Sequence, residues 1–243
     1  MEFENDRVLV TGVGQAGSLG HEIAVAFSKL GAYVVASGRS AKAEQELLDV
    51  VGPDRTKFIQ VDLLDPGSAR DLARRAGDVT ILVNNAATIE AGSTSSITDD
   101  GFDAMFAVNV KAAHQLVAEL QPGMARAQRG SIVNISSIGA KLGTPGRAAY
   151  AASKAALESL TRSWGVEFAS DGITVNAVAP GPLLNPRLRA AGGAAIAAAG
   201  STVPAGRPVR TREVADVVVF LASQKARYAT GSTLALDGGR TVI

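Results

Sequence analysis

The sequence predicts an α/β fold, a single doubly wound parallel sheet of about seven strands with helices on both faces. Three features point there. Short apolar runs rich in Val and Ile recur along the chain, as buried parallel strands do. Stretches of helical period separate them. The first run ends in a glycine-rich turn that opens directly into a helix.

Taken in order, the strands are expected at residues 7–11, 33–37, 57–61, 79–84, 131–136, 173–179 and 233–236. Helices are expected at about 18–30, 41–51, 67–76, 101–121, 149–169 and 211–223. The first helix sets Ile23, Ala24 and Phe27 on one face, as a helix packed on a sheet must. The fourth places Phe106, Asn109, Val110 and Ala113 on one stripe. Residues 182–206 fit neither period. They hold three of the nine prolines with much Gly and Ala, and read as a long irregular flap after a strand's C-terminal end. No repeat or linker divides the chain, so 1–243 reads as one dinucleotide-binding and catalytic domain.

Composition narrows the chemistry. At 243 residues, 47% hydrophobic and 19% charged, the chain is globular and needs no disulfide or metal to hold a core. Lys plus Arg number 24 against 23 Asp plus Glu, and aromatics are 5%, which argues against a nucleic-acid partner. There is no cysteine, and the only histidines are His21 and His114, so thiol chemistry and a His-rich metal site are not expected. The N-terminus does not read as a signal peptide and no apolar stretch reaches the ~20 residues of a membrane span, so a soluble cytoplasmic protein is expected.

The glycine turn runs Thr11-Gly12-Val13-Gly14-Gln15-Ala16-Gly17-Ser18-Leu19-Gly20. Such a turn lets backbone N–H groups approach a diphosphate at the positive end of a helix; a tight loop that needs positive φ produces the same glycines. The second strand decides the nucleotide. Where an NAD site carries a carboxylate for the ribose hydroxyl, the chain reads Ala36-Ser37-Gly38-Arg39-Ser40. A guanidinium matches a 2′-phosphate bidentately, so Arg39 favours NADP(H), with NAD(H) as the alternative.

Four residues could do the chemistry. Tyr150 and Lys154 lie one helical turn apart on one face. A neighbouring ammonium favours the phenolate, which lowers the tyrosine pKa and makes it a usable acid or base. Ser136 and Ser137 end a strand, where open α/β sheets bind ligands. Asn109 puts an amide on an apolar stripe, where it either ties down a local backbone group or holds a water in a proton relay.

Together these features resemble the short-chain dehydrogenase/reductase family, a Rossmann-type fold, over nearly the whole chain. Thr11-Gly12 with the later glycines resembles its cofactor turn. Asn84-Asn85-Ala86-Ala87 is similar to its Asn-Asn-Ala-Gly motif, Asn176-Ala177-Val178-Ala179-Pro180-Gly181 to its segment before the substrate flap, and Asp237-Gly238-Gly239 to its C-terminal signature. Asn109, Ser137, Tyr150 and Lys154 match its catalytic tetrad, with Ser137 preferred over Ser136 because the family places the serine thirteen residues before the tyrosine. The resemblance implies that Tyr150 donates the proton, Lys154 lowers its pKa and binds the nicotinamide ribose, Ser137 polarises the carbonyl and Asn109 orders the relay water. It implies cofactor contacts at Gly12, Gly14, Gln15, Ser18, Leu19, Arg39, Asp62, Leu63, Asn85, Ala86, Lys154, Pro180 and Gly181.

Three departures stand out. The turn is two residues longer than the family's, and Ser18-Leu19-Gly20 is spaced like the turn of bacterial enoyl-acyl-carrier-protein reductases. Their Tyr-x₆-Lys pair would need a tyrosine in place of Arg147 or a lysine in place of Leu157, so the chemistry side does not follow. Ala87 replaces a glycine, and Asn185 stands where a threonine usually hydrogen-bonds the carboxamide.

The pattern is most like 3-oxoacyl-acyl-carrier-protein reductases, carried by Val203-Pro204-Ala205-Gly206-Arg207 and Glu213-Val214-Ala215. The expected activity is NADPH-dependent reduction of a ketone or 3-oxoacyl thioester. Alternatives are an NAD(P)-dependent secondary-alcohol, sugar or steroid dehydrogenase, and a non-catalytic cofactor sensor. Arg126, Arg129, Arg187 and Arg189 are candidates for a basic carrier-protein surface. Residues 143–147 and the flap are expected to wall the substrate pocket. The resemblance implies a homotetramer of 222 symmetry or a homodimer built on the long helices.

Overall fold

The computed structural model describes residues 1–243. The strands are β1 (Arg7–Val10), β2 (Tyr33–Gly38), β3 (Thr56–Gln60), β4 (Ile81–Asn84), β5 (Gly130–Ile135), β6 (Ile173–Pro180), β7 (Leu183–Leu184), β8 (Val209–Arg210) and β9 (Thr233–Leu236). Seven form one parallel sheet in the order β3-β2-β1-β4-β5-β6-β9, while β7 and β8 make a small ribbon. The order reverses between β1 and β4, which places a crevice at their C-terminal ends. All seven expected strands are present, each within two residues at either end.

Alternation along the strands builds two cores. Val8 and Val10 of β1 face one side and Leu9 the other, and all are fully buried. The first face is covered by α1 (Leu19–Lys29), α2 (Ala41–Val51) and α9 (Thr211–Ala222), which bring Ile23, Phe27, Leu47, Val214 and Val218 to it. The second is covered by α3 (Ser68–Ala76), α5 (Ala113–Arg126) and α6 (Ala148–Glu167), which bring Leu72, Leu116, Leu120 and Trp164. Covering both faces is why these strands read as continuous apolar runs.

Two stretches depart from the expectation. The helix expected at 101–121 starts earlier, as α4 (Asp99–Phe106), passes through a π-helical turn (Ala107–Ala112) and continues through Pro122 as α5. Burial of Leu116, Leu120 and Met124 against the sheet outweighs the hydrogen bond that Pro122 removes. Residues 182–206 are not irregular. They fold into β7, α7 (Pro186–Ala190) and α8 (Gly193–Ser201). Asn185 caps α7 by accepting from the Leu188 N–H at 2.9 Å with Pro186 at the first helical position, and the alanine run favours helix in α8.

Candidate active site

A cleft of about 770 Å³ opens at the C-terminal ends of β1, β4 and β5. It brings together every residue expected to contact a cofactor, from Gly12 to Gly181, and three of the four expected catalytic residues, Ser137, Tyr150 and Lys154.

The glycine turn forms one wall. Gly12 has φ +68°, and a Cβ there would come within 2.5 Å of the Ala86 backbone. The Asn85 side chain fixes the turn from β4, its Nδ2 donating to the carbonyls of Thr11 at 2.8 Å and Gly12 at 3.0 Å. The N–H groups of Asn85 and Ala86 both donate to Thr11 Oγ1 at 3.0 Å. Ser18 caps α1 through the His21 N–H. The N–H groups of Gly14, Gln15, Leu19 and Gly20 bond no protein acceptor and border the cleft, which suits phosphate oxygens at a helix start. At the tip, the Ala16 N–H donates to Glu46 Oε2 of α2 at 2.6 Å.

The far end is basic. Arg39 sits 3.6 Å from Asp62, Lys42 sits 3.6 Å from Glu46, and the buried Ser37 hydroxyl has no protein partner although it lines the cleft. Gly38 cannot carry a side chain at all, because its Cβ would collide with the Val13 carbonyl oxygen. Four cations, Arg39, Lys42, Lys154 and Arg187, face a single carboxylate, Asp62. That donor set fits a phosphorylated dinucleotide.

The other end carries acid–base groups. Tyr150 lies in the first turn of α6, and Ser137 follows the last residues of β5. Ser136 points elsewhere, its Oγ donating to the buried Glu158 carboxylate at 2.7 Å, which leaves Ser137 to face Tyr150. Lys154 is fully buried, and its Nζ donates to the Ile135 carbonyl at 2.7 Å. Burial lowers the Lys154 pKa to about 8. The lowered tyrosine pKa expected from the sequence is not found in the protein alone. Burial pushes the Tyr150 phenol above its ordinary value, while the Ser137 hydroxyl bond and the Arg147 guanidinium pull against it. The Lys154 nitrogen stands 5.9 Å from the Tyr150 ring centre.

Asn109 does not reach the cleft. It sits in the π-helical turn at 1% exposure. Its Oδ1 accepts from the Thr88 N–H at 2.8 Å, and its Nδ2 donates to the Thr88 carbonyl and Ser153 Oγ, both at 3.0 Å. Ser153 in turn donates to the Tyr150 carbonyl at 2.7 Å. The side chain therefore ties the exit of β4 to the start of α6.

The four candidate surface arginines do not form one patch. Arg129 immediately precedes β5, at the end of the strands opposite the cleft, and pairs with Asp6 at 2.6 Å; Arg126 ends α5 close by in the chain. Residues 143–147 do not line the cleft either, and the flap contributes Leu183, Asn185, Pro186 and Arg187. Sequence reasoning missed Lys42 and Glu158. Glu158 lies four residues past Lys154, a spacing that puts it on the same helix face.

A family model described as enoyl-(acyl carrier protein) reductase matches residues 12–241. The Escherichia coli 3-oxoacyl-[acyl-carrier-protein] reductase FabG is 33% identical over 247 residues, covering 100% of both chains. A solved structure of a short chain dehydrogenase/reductase family protein superposes with a TM-score of 0.91 at 42% identity, with full coverage of both chains. A Beutenbergia cavernae protein described as an NAD(P)-dependent gluconate 5-dehydrogenase, with NADP bound at low occupancy, gives a TM-score of 0.90 at 33% identity over 97% of this chain and 96% of that one.

Proposed function

The chain belongs to the short-chain dehydrogenase/reductase family, oxidoreductases of the CH–OH/C=O pair served by a nicotinamide cofactor, and from that premise we propose that it reduces a 3-oxoacyl thioester or related ketone with NADPH. The observation that carries this reading is the convergence of Ser137, Tyr150 and Lys154 at the end of the cleft away from Arg39. Residues 1–243 act as one domain, the flap closing the substrate side.

Arg39, Lys42 and the Ser37 hydroxyl hold the 2′-phosphate, and Asp62 with Leu63 lines the adenine side. The free N–H groups of the glycine turn hold the diphosphate. Lys154 holds the nicotinamide ribose, with Asn85, Ala86, Pro180 and Gly181 around it. When bound, the reduced nicotinamide supplies a hydride to the carbonyl carbon. The chain supplies the rest. Ser137 donates a hydrogen bond to the carbonyl oxygen, and Tyr150 transfers its phenolic proton to that oxygen as charge develops. The raised Tyr150 pKa keeps that proton in place at neutral pH, and the Lys154 ammonium stabilises the phenolate left behind.

The similarity to 3-oxoacyl-acyl-carrier-protein reductases favours an acyl thioester as substrate and an acyl-carrier protein as its carrier. The likeness to the gluconate 5-dehydrogenase favours a second reading, a sugar-acid dehydrogenase. Loss of NADPH absorbance with acetoacetyl thioesters, simple ketones and keto sugar acids separates them. Turnover confined to the keto sugar acids overturns the first reading. The same reading carries a homodimer or tetramer built on α4–α5 and α6, which light scattering tests.

A further inference from the structure

Arg187 has no role in the chemistry described above, yet it lines the same cleft. Of the four cations there, Arg39 pairs with Asp62, Lys42 pairs with Glu46 and Lys154 is bonded to Ile135. Arg187 alone has neither an ion-pair partner nor a side-chain hydrogen bond. An Arg carries five fixed N–H donors and keeps its charge, so a guanidinium held at a cleft without an acceptor suits an anion.

Its position says which anion. Arg187 follows Pro186, and a methyl group built on Gly17 would lie 3.7 Å from Pro186 Cγ, ordinary van der Waals contact. The start of the flap helix α7 therefore lies close to the tip of the lengthened glycine turn, and Arg187 lines the same cleft as Gly14, Gln15 and Ser18. Part of that turn is already engaged. The N–H groups of Val13, Ala16 and Ser18 already bond the Ser37 carbonyl, the Glu46 carboxylate and the Gln15 carbonyl. The two extra residues thus reach out to α2 on one side and the flap on the other, instead of adding amides to the phosphate cradle.

We propose that Arg187, delivered by the flap onto the lengthened turn, is a further ligand of the cofactor's diphosphate. This rests on the dinucleotide reading of the cleft. It sets Arg187 apart from Arg39, since the diphosphate is common to NADPH and NADH while the 2′-phosphate is not.

The test is binding, by calorimetry and by quenching of Trp164 fluorescence, on the full chain. Arg187 is exposed and its side chain bonds nothing, so Arg187→Ala folds normally, which circular dichroism checks. The variant weakens NADPH and NADH alike, by roughly ten- to a hundredfold, and leaves their ratio unchanged. Adenosine 2′-monophosphate, which has no diphosphate, binds variant and wild type equally. Arg187→Lys recovers part of the loss, because a point charge remains but the bidentate fork does not. Unchanged NADPH affinity in Arg187→Ala overturns the proposal, as does an equal loss for adenosine 2′-monophosphate. If the wild-type chain binds neither dinucleotide, the cofactor reading itself fails, a result distinct from either of these.

Discussion

The Lys154 ammonium donates to the Ile135 carbonyl oxygen at 2.7 Å, so the most deeply buried cation of the chain is moored to the last residue of a central strand. Ile135 lies one residue past the final β4–β5 pair, Asn84 with Asn134, which frees its carbonyl for a side chain. The mooring fixes where the charge sits. Burial fixes when it is present.

The pH dependence follows from the lowered Lys154 pKa. The ammonium is intact below about 8 and lost as pH rises through that value. Tyr150, pushed above its ordinary value, stays protonated across the same range. Carbonyl reduction needs both protons, so kcat/KM for the ketone holds steady at neutral pH and falls above about pH 8. A pH–rate profile flat across that value would contradict the assignment.

Stability carries the same signature. Lys154 titrates near 8 when folded and near 10.5 when unfolded, so between those values the unfolded chain binds more protons. Stability from this group therefore rises with pH across that window, by up to about 1.4 kcal/mol per pH unit. Lys154→Met lacks the group. Chemical denaturation at pH 8 and pH 9.5 shows the wild type gaining on the variant by roughly 1–2 kcal/mol. A constant difference between the two proteins would rule the effect out.

Tyr150→Phe removes the transferable proton and keeps the ring. Turnover falls by roughly 10²–10⁴-fold, while NADPH binding, read by fluorescence, changes little. Reductase activity near the wild-type level would sink the acid role.

Arg39→Asp exchanges a donor for the 2′-phosphate for an acceptor at a ribose hydroxyl. The NADPH/NADH ratio of kcat/KM moves toward NADH by about tenfold or more. An unchanged ratio would show that Arg39 does not read the phosphate.

Asn109→Ala strands the Thr88 N–H and carbonyl and unlinks Ser153. Buried polar groups left unpaired cost about 1–3 kcal/mol each, so the urea midpoint drops clearly, with a smaller effect on NADPH affinity. An unmoved midpoint would show that the amide carries no structural load.

The strands were legible because burial on both faces writes them as plain apolar runs, and Val8, Leu9 and Val10 need no partner to declare it. The cleft residues were legible because a glycine turn, a strand-end serine and a tyrosine four residues before a lysine all act locally. What the sequence could not show depends on contacts distant along the chain. The shift at Tyr150 arises from packing around the ring, not from its neighbour four residues on. The engagement of Asn109 involves Thr88 and Ser153. Arg126 and Arg187 look alike in a sequence, and only the fold, with one before the start of β5 and the other after the end of β6, puts them at opposite ends of the strands.

Gly38 turns cofactor choice into a question of engineering. The position where a carboxylate would naturally be grafted to recruit NADH has no room for one, because any side chain meets the Val13 carbonyl, itself fixed by the bond from the Val13 N–H to Ser37. A redesign that places aspartate there displaces the glycine turn before it can greet a ribose. Selection for a changed nucleotide must therefore work through the flanking positions, Ser37 and Arg39, and leave the glycine alone.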